Sequence, residues 1–207
     1  MSGLRPLRVL ILLALAVGLG GCLATDPDDA APSPDATAIG PVELLTFLPD
    51  EDHFLTPGHR YPVEAAASLQ DALQDLADQL TRNYFKDGPE PDAGIDIEVL
   101  DVHTIRLPHR PLRVVVVNLR DVRQVAWRHF FQGSSGGQTT YYLLAATLMQ
   151  PQLSPPLADG LVVLYNGASF PELAHIRFND LVSAESVRPV VVRAIQRRPS
   201  RPGEASG

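Results

Sequence analysis

Apolar residues recur along this chain in three rhythms, and each predicts a different element. Between residues 66 and 84, Leu69, Leu73, Leu76 and Leu80 fall four, three and four apart, with Asp71, Gln74, Asp75, Asp78 and Gln79 between them. That spacing predicts a helix with leucines facing a core and a solvated polar side, too short for a coiled-coil seam. Strand-length runs form the second rhythm. Residues 42–48 (VELLTFL) end in the acidic turn Pro49-Asp50-Glu51-Asp52, and residues 53–63 return as a more exposed strand broken by Pro57-Gly58. Residues 95–99 alternate and then change phase at Leu100-Asp101, which predicts a bulge. Residues 114–119 and 161–165 are apolar on both faces and predict central strands. In the third rhythm, residues 139–149 (TTYYLLAATLM) are apolar most of the way round and predict a buried helix stopped before Pro151. The order strand, strand, helix, strands, helix, strand predicts an α+β single domain over residues 41–187, two helices packed on a mixed β-sheet.

The ends of the chain follow other rules. Residues 1–8 carry Arg5 and Arg8 and no acid, and residues 9–19 (VLILLALAVGL) are apolar throughout. A bilayer-spanning helix needs about 20 apolar residues, so this run is of signal-peptide length. It ends in Leu19-Gly20-Gly21-Cys22, which resembles the lipobox of bacterial lipoproteins. The resemblance implies cleavage between Gly21 and Cys22, removal of residues 1–21, and a Cys22 carrying diacylglyceryl and a palmitate-type acyl group. Leu23 stands where an aspartate is associated with inner-membrane retention, so the resemblance further implies an outer-membrane anchor facing the periplasm. An ordinary secretory signal with a chance cysteine is the alternative. Buried acyl chains contribute about 0.8 kcal/mol per methylene, so more than one chain anchors stably. Residues 22–40, rich in Ala, Asp and Pro, predict a flexible tether, and residues 188–207, with Arg193, Arg197, Arg198 and Arg201, predict a basic disordered tail.

Cys22 is the one cysteine of 207 residues, so the folded part has no disulfide; a domain of this size buries an adequate core without one. The formal charge of −7 lacks the basic domain that nucleic-acid binding usually requires.

Several short motifs together resemble the GerMN domain of bacterial envelope proteins. Leu45-Thr46-Phe47-Leu48-Pro49-Asp50-Glu51-Asp52 matches its opening strand and turn; Val116-Val117-Asn118-Leu119, Gly133-Ser134, Thr147-Leu148 and Val162-Val163-Leu164-Tyr165-Asn166-Gly167 match later segments, as does Phe170-Pro171-Glu172-Leu173-Ala174-His175-Ile176. Gln138 and Asn118 depart from it, standing where acids are frequent. The resemblance implies a non-catalytic envelope domain that binds a protein partner or peptidoglycan, with no cofactor. An auxiliary lipoprotein of a transport or assembly system differs from this only in its partner.

Candidate chemistry centres on Gly133-Ser134-Ser135-Gly136-Gly137, a formal G-x-S-x-G. A nucleophile elbow needs a buried strand before its serine and an acid and histidine after it. Asp159 and His175 supply an inventory for a small lipid-anchored serine hydrolase using Ser135. The competing expectation is a capping box, Ser135-Gly136-Gly137-Gln138, at the start of the buried helix. His53, His59, His103, His109, His129 and His175 show no metal-ligand spacing; Asp101 with His103 is a two-ligand fragment. The turn 50–52 lacks calcium-loop spacing. Trp127, Arg128, Phe130 and Phe131 form an arginine-aromatic cluster of partner-binding composition, with core packing of the aromatics as the alternative.

Overall fold

A computed structural model describes residues 38–39, 41–63, 67–87, 94–124, 126–131, 133–171, 178 and 180–197. All lie in one compact unit, residues 34–207. The expected signal peptide, the cleavage site at Gly21 and Cys22 lie outside the described residues.

The domain is α+β. Strand β1 (Ala38–Ile39) pairs with β4 (Ala67–Ser68), and β2 (Val42–Pro49) pairs antiparallel with β3 (Leu55–Val63). Ile39 is half-buried against the core, so the expected tether of residues 22–40 gives way to ordered structure before its end. Pro57-Gly58 does not break β3: the register shifts between Leu45 and Phe47 of β2, and the strand bulges past the prolyl site.

The largest sheet has β5 (Asp96–Arg106) at one edge, then β6 (Pro111–Arg120), β7 (Gly160–Tyr165) and β8 (Ala168–Ser169), with β9 (Val182–Ser183) also on β7. The predicted bulge is present, between Val99 and Asp101. β6 and β7 run parallel, so the chain crosses between them through α2 (Ala126–Phe130) and α3 (Ser134–Met149). Both are central strands, with Val115, Val117, Leu119, Leu161 and Val163 buried.

Helix α1 (Leu69–Leu80) begins at Ser68, whose hydroxyl accepts from the Asp71 N–H at 3.0 Å. It ends in a π-helical turn, Thr81–Phe85. Its four predicted core leucines are each at most 2% exposed, a burial of about 1.5–3 kcal/mol apiece. Helix α3 is buried around nearly its whole circumference, as its sequence predicts, and contacts α1, α4, β2 and β7. It starts five residues earlier than expected.

A third long helix, α4 (Ala184–Gln196), corrects the boundary at 187 and the tail from 188. Ser183 caps it, accepting from the Glu185 N–H at 3.2 Å, and Val187, Val191 and Ala194 are buried. Pro189 sits inside it, where a proline costs about 3 kcal/mol through a lost hydrogen bond and a clash. Burial of the apolar face offsets that cost.

Helix side chains complete the strands that lack a neighbour. Gln150 follows α3 in a left-handed conformation (φ 47°) and is fully buried. Its Oε1 accepts from the Leu45 N–H at 2.9 Å and its Nε2 donates to the Leu45 C=O at 2.6 Å. Thr147 Oγ1 accepts from the Phe47 N–H at 3.0 Å. Across the domain, Gln74 of α1 accepts from the Val99 N–H at 2.8 Å and donates to the Ile97 C=O at 3.1 Å, and Thr81 Oγ1 accepts from the Ile97 N–H at 3.2 Å. Gln74, expected on a solvated face, is thus bound to the sheet.

Candidate functional site

Beyond Arg120 the chain turns through α2 and reaches Gly133 with φ 77° and ψ 165°. That conformation favours glycine, so Gly133 caps α3 and no side chain does. Ser135 is then the second residue of the helix and exposed. The expected Ser135–Gln138 capping box is not formed, because the conformational demand at the boundary selects the glycine two residues before. The elbow geometry is not formed either: the helix α2, not a buried strand, precedes the serine. Asp159 belongs to a different place, where it accepts from Arg110 and from the Arg113 N–H at 2.9 Å. His175 lies outside the described residues.

Ser135 nevertheless lines a cavity of about 420 Å³. Three elements distant in sequence build it. The β2–β3 turn supplies Asp52, His53 and Phe54. Asp50 Oδ1 shapes that turn by accepting from the N–H groups of Asp52 (3.1 Å) and Phe54 (2.7 Å). His53 is held at φ 62°, with its N–H donating to the Asp50 C=O at 3.0 Å and its C=O accepting from Thr139 Oγ1 at 3.0 Å. Asp50 of this acidic turn thus serves the backbone. The start of α3 contributes Ser135, Gln138, Thr139 and Tyr142, and α4 with the residue after it contributes Val190, Arg193, Ala194 and Arg197. The Arg197 guanidinium lies 4.0 Å from the centre of the half-exposed Phe54 ring, a cation–π contact. Leu55 and Ala194 are buried beneath.

The predicted arginine-aromatic cluster is divided. Phe131 is 3% exposed and packs edge-on against Phe170 at 5.1 Å and Phe178 at 6.1 Å, so it is a core residue, which corrects its assignment to a binding surface. Phe130 is half-buried among Tyr84 (5.2 Å), Phe85 (4.8 Å) and His129 (4.8 Å). The side chains of Trp127 and Arg128 lie outside the described residues. The cavity residues Phe54, Arg193 and Arg197 were missed as a site. Their sequence signal was two arginines four apart, masked by assignment of that segment to a tail.

A polar network closes the C-terminal ends of β6 and β7. Tyr165 Oη donates to Asp121 Oδ2 at 2.5 Å, the Asp121 N–H donates to Asn166 Oδ1 at 2.9 Å, and Asn118 Oδ1 accepts from the Gly167 N–H at 2.8 Å. Burial first, then the Asp121 hydrogen bond and charge, pushes the Tyr165 hydroxyl well above the usual tyrosine range. The network holds the strand ends together.

His103 Nε2 lies 3.1 Å from Asp101 Oδ2, so this two-ligand fragment is an exposed pair. Among the described residues no three His, Cys, Asp or Glu side chains come together as a metal site, and no helix is long and apolar enough to cross a membrane. No protein family, curated protein or solved structure matches the chain.

Proposed function

We propose that this protein is a cell-envelope lipoprotein, anchored through Cys22 in the outer membrane and facing the periplasm, whose α+β domain binds an envelope protein or peptidoglycan without catalysis. The lipobox-like Leu19-Gly20-Gly21-Cys22 supports the anchor. The observation that carries the binding reading is the cavity between the β2–β3 turn, α3 and α4, whose polar lining is two arginines, Asp52, His53, hydroxyls and an amide, and in which Ser135 and His53 make no hydrogen bond to each other. The motif resemblance to the GerMN domain supports the same reading.

The test is in-cell cross-linking of the wild type and the Cys22→Ala variant, with fatty-acyl labelling followed in parallel. The expected result is acyl label on the wild type only, and a stoichiometric envelope partner or wall fragment captured by it. Acyl label on Cys22→Ala would remove the anchor. Because Ser135 is exposed in the cavity, stoichiometric modification of it by a fluorophosphonate would replace binding with hydrolysis.

A further inference from the structure

The geometry points to a ligand class for this cavity: the free carboxylate end of a peptide, gripped by Arg193 and Arg197. This rests on the binding reading above and narrows it. The two arginines stand four apart on one side of α4 and its C-terminal end, and both line the cavity. Among the described residues neither has a carboxylate partner. Arg193 spends one N–H, its Nε donating to the Pro189 C=O at 3.2 Å, and its terminal nitrogens remain for a ligand. Arg197 is steadied by the Phe54 ring at 4.0 Å, which orients a guanidinium without consuming its donors.

Charge selects the ligand. Two guanidinium groups face one lining carboxylate, Asp52, which leaves the arginines in surplus by one positive charge. That surplus suits a monoanion better than a phosphate dianion, and the planar guanidinium fork matches a carboxylate two bonds at a time. The rest of the lining suits the peptide behind it. The Ser135 hydroxyl, the Gln138 amide and the Tyr142 hydroxyl offer donors and acceptors to peptide groups, while Leu55, Val190 and Ala194 offer a small apolar floor. Thr139 is already committed to the His53 C=O and serves the wall. A volume of about 420 Å³ falls within the usual range of small-ligand sites, and the hydrogen-bonded turn presents it ready-made. Another cavity, of about 580 Å³, is a weaker candidate because its Arg110 is already paired with Asp159 and Glu185 also lines it.

The experiment uses the full chain, purified as the cell makes it, and calorimetric titration with acetyl-Ala-Ala-Ala, its C-terminal carboxamide, and the same peptide ending in D-alanine. The expected result is binding of the free acids at least about tenfold tighter than the carboxamide, with the preference lost in the Arg193→Ala/Arg197→Ala variant. Circular dichroism confirms that the variant is folded; if it is not, Arg193→Gln and Arg197→Gln, made singly, replace it. Preference for the L-ended peptide identifies protein C-termini as the source, and preference for the D-ended peptide identifies wall stem peptides. Equal binding of acid and carboxamide, a preference that survives loss of both arginines, or no binding of any peptide at about 10 mM overturns the assignment. Partner capture in cells separates the two failures. Capture that persists while wild-type protein shows no carboxylate preference sinks the ligand class and leaves the binding reading standing.

Discussion

Replacing Gln150 by alanine orphans both backbone groups of Leu45 at once, and also removes the donor to the Thr147 C=O at 2.6 Å. The Leu45 N–H and C=O are buried, and both bond the Gln150 amide, at 2.9 and 2.6 Å. A buried backbone group left without a partner costs about 1–3 kcal/mol, so the pair together sets a loss of about 2–6 kcal/mol. The left-handed backbone at this position is common to both proteins and largely cancels. For a domain of this size about 1 kcal/mol shifts Tm by 2–4 °C, so the expected fall is roughly 5–20 °C. Urea unfolding followed by far-ultraviolet circular dichroism measures it. Gln150→Asn separates the two explanations of the residue. Asparagine tolerates the left-handed conformation well but is one methylene too short to reach β2, and so should be destabilised nearly as much as alanine. Gln152→Ala is the local control: Gln152 Nε2 donates to Gln150 Oε1 at 2.7 Å, but its own Oε1 is buried without a partner among the described residues. It should lose less than about 1 kcal/mol. A loss below about 1 kcal/mol in Gln150→Ala, or an Asn variant as stable as wild type, would refute the idea that this amide stands in for a missing strand.

Tyr165→Phe should lose about 1–3 kcal/mol, because it deprives the buried Asp121 carboxylate of its 2.5 Å donor. The folded state raises the Tyr165 pKa above 10.0, so its stabilisation is intact below that pH and fades as pH climbs beyond it. Alkaline unfolding followed by tyrosinate absorbance should therefore be shallower in Tyr165→Phe, and identical profiles would contradict the sign. Gly94→Ala places a Cβ 2.3 Å from the Phe85 carbonyl oxygen, so the α1–β5 connection must shift at a cost of about 1–3 kcal/mol, read by urea midpoint. Pro189→Ala restores a helical N–H at an exposed site and should raise stability by about 1–3 kcal/mol in thermal melts; a lower Tm would mean that the ring is needed where it lies. Ser135→Ala, exposed in the first turn of α3, should change stability by less than about 0.5 kcal/mol.

The elements that were legible in the sequence are those whose period is set by one dominant burial demand. The leucines of α1, the doubly apolar β6 and β7 and the bulge at Leu100 all announce themselves through side-chain alternation. Helix α4 did not, because Pro189 and the run Val190-Val191-Val192 argue locally against a helix, and burial of Val187, Val191 and Ala194 against the domain overrides them. Loss of α4 from the reading also hid the cavity, since Arg193 and Arg197 enter it from that helix end. Phe131 misled for the converse reason: adjacent aromatics in a polar, arginine-rich stretch look like a surface until Phe170 and Phe178, about forty residues on, arrive to bury one of them. Ser135 shows that a motif match is decided by the element before it.

The amide and hydroxyl groups with which α1 and α3 finish the strands have a kinetic consequence. The amide protons of Leu45, Phe47, Ile97 and Val99 exchange with solvent only when a helix lifts away, because their partners are helix side chains. Undocking a helix and loosening an edge strand are then one event, and the β2–α3 and α1–β5 pairs behave as opening units in their own right. Native-state hydrogen exchange at these four positions would report the motion of the helices, even though every proton being watched belongs to a strand.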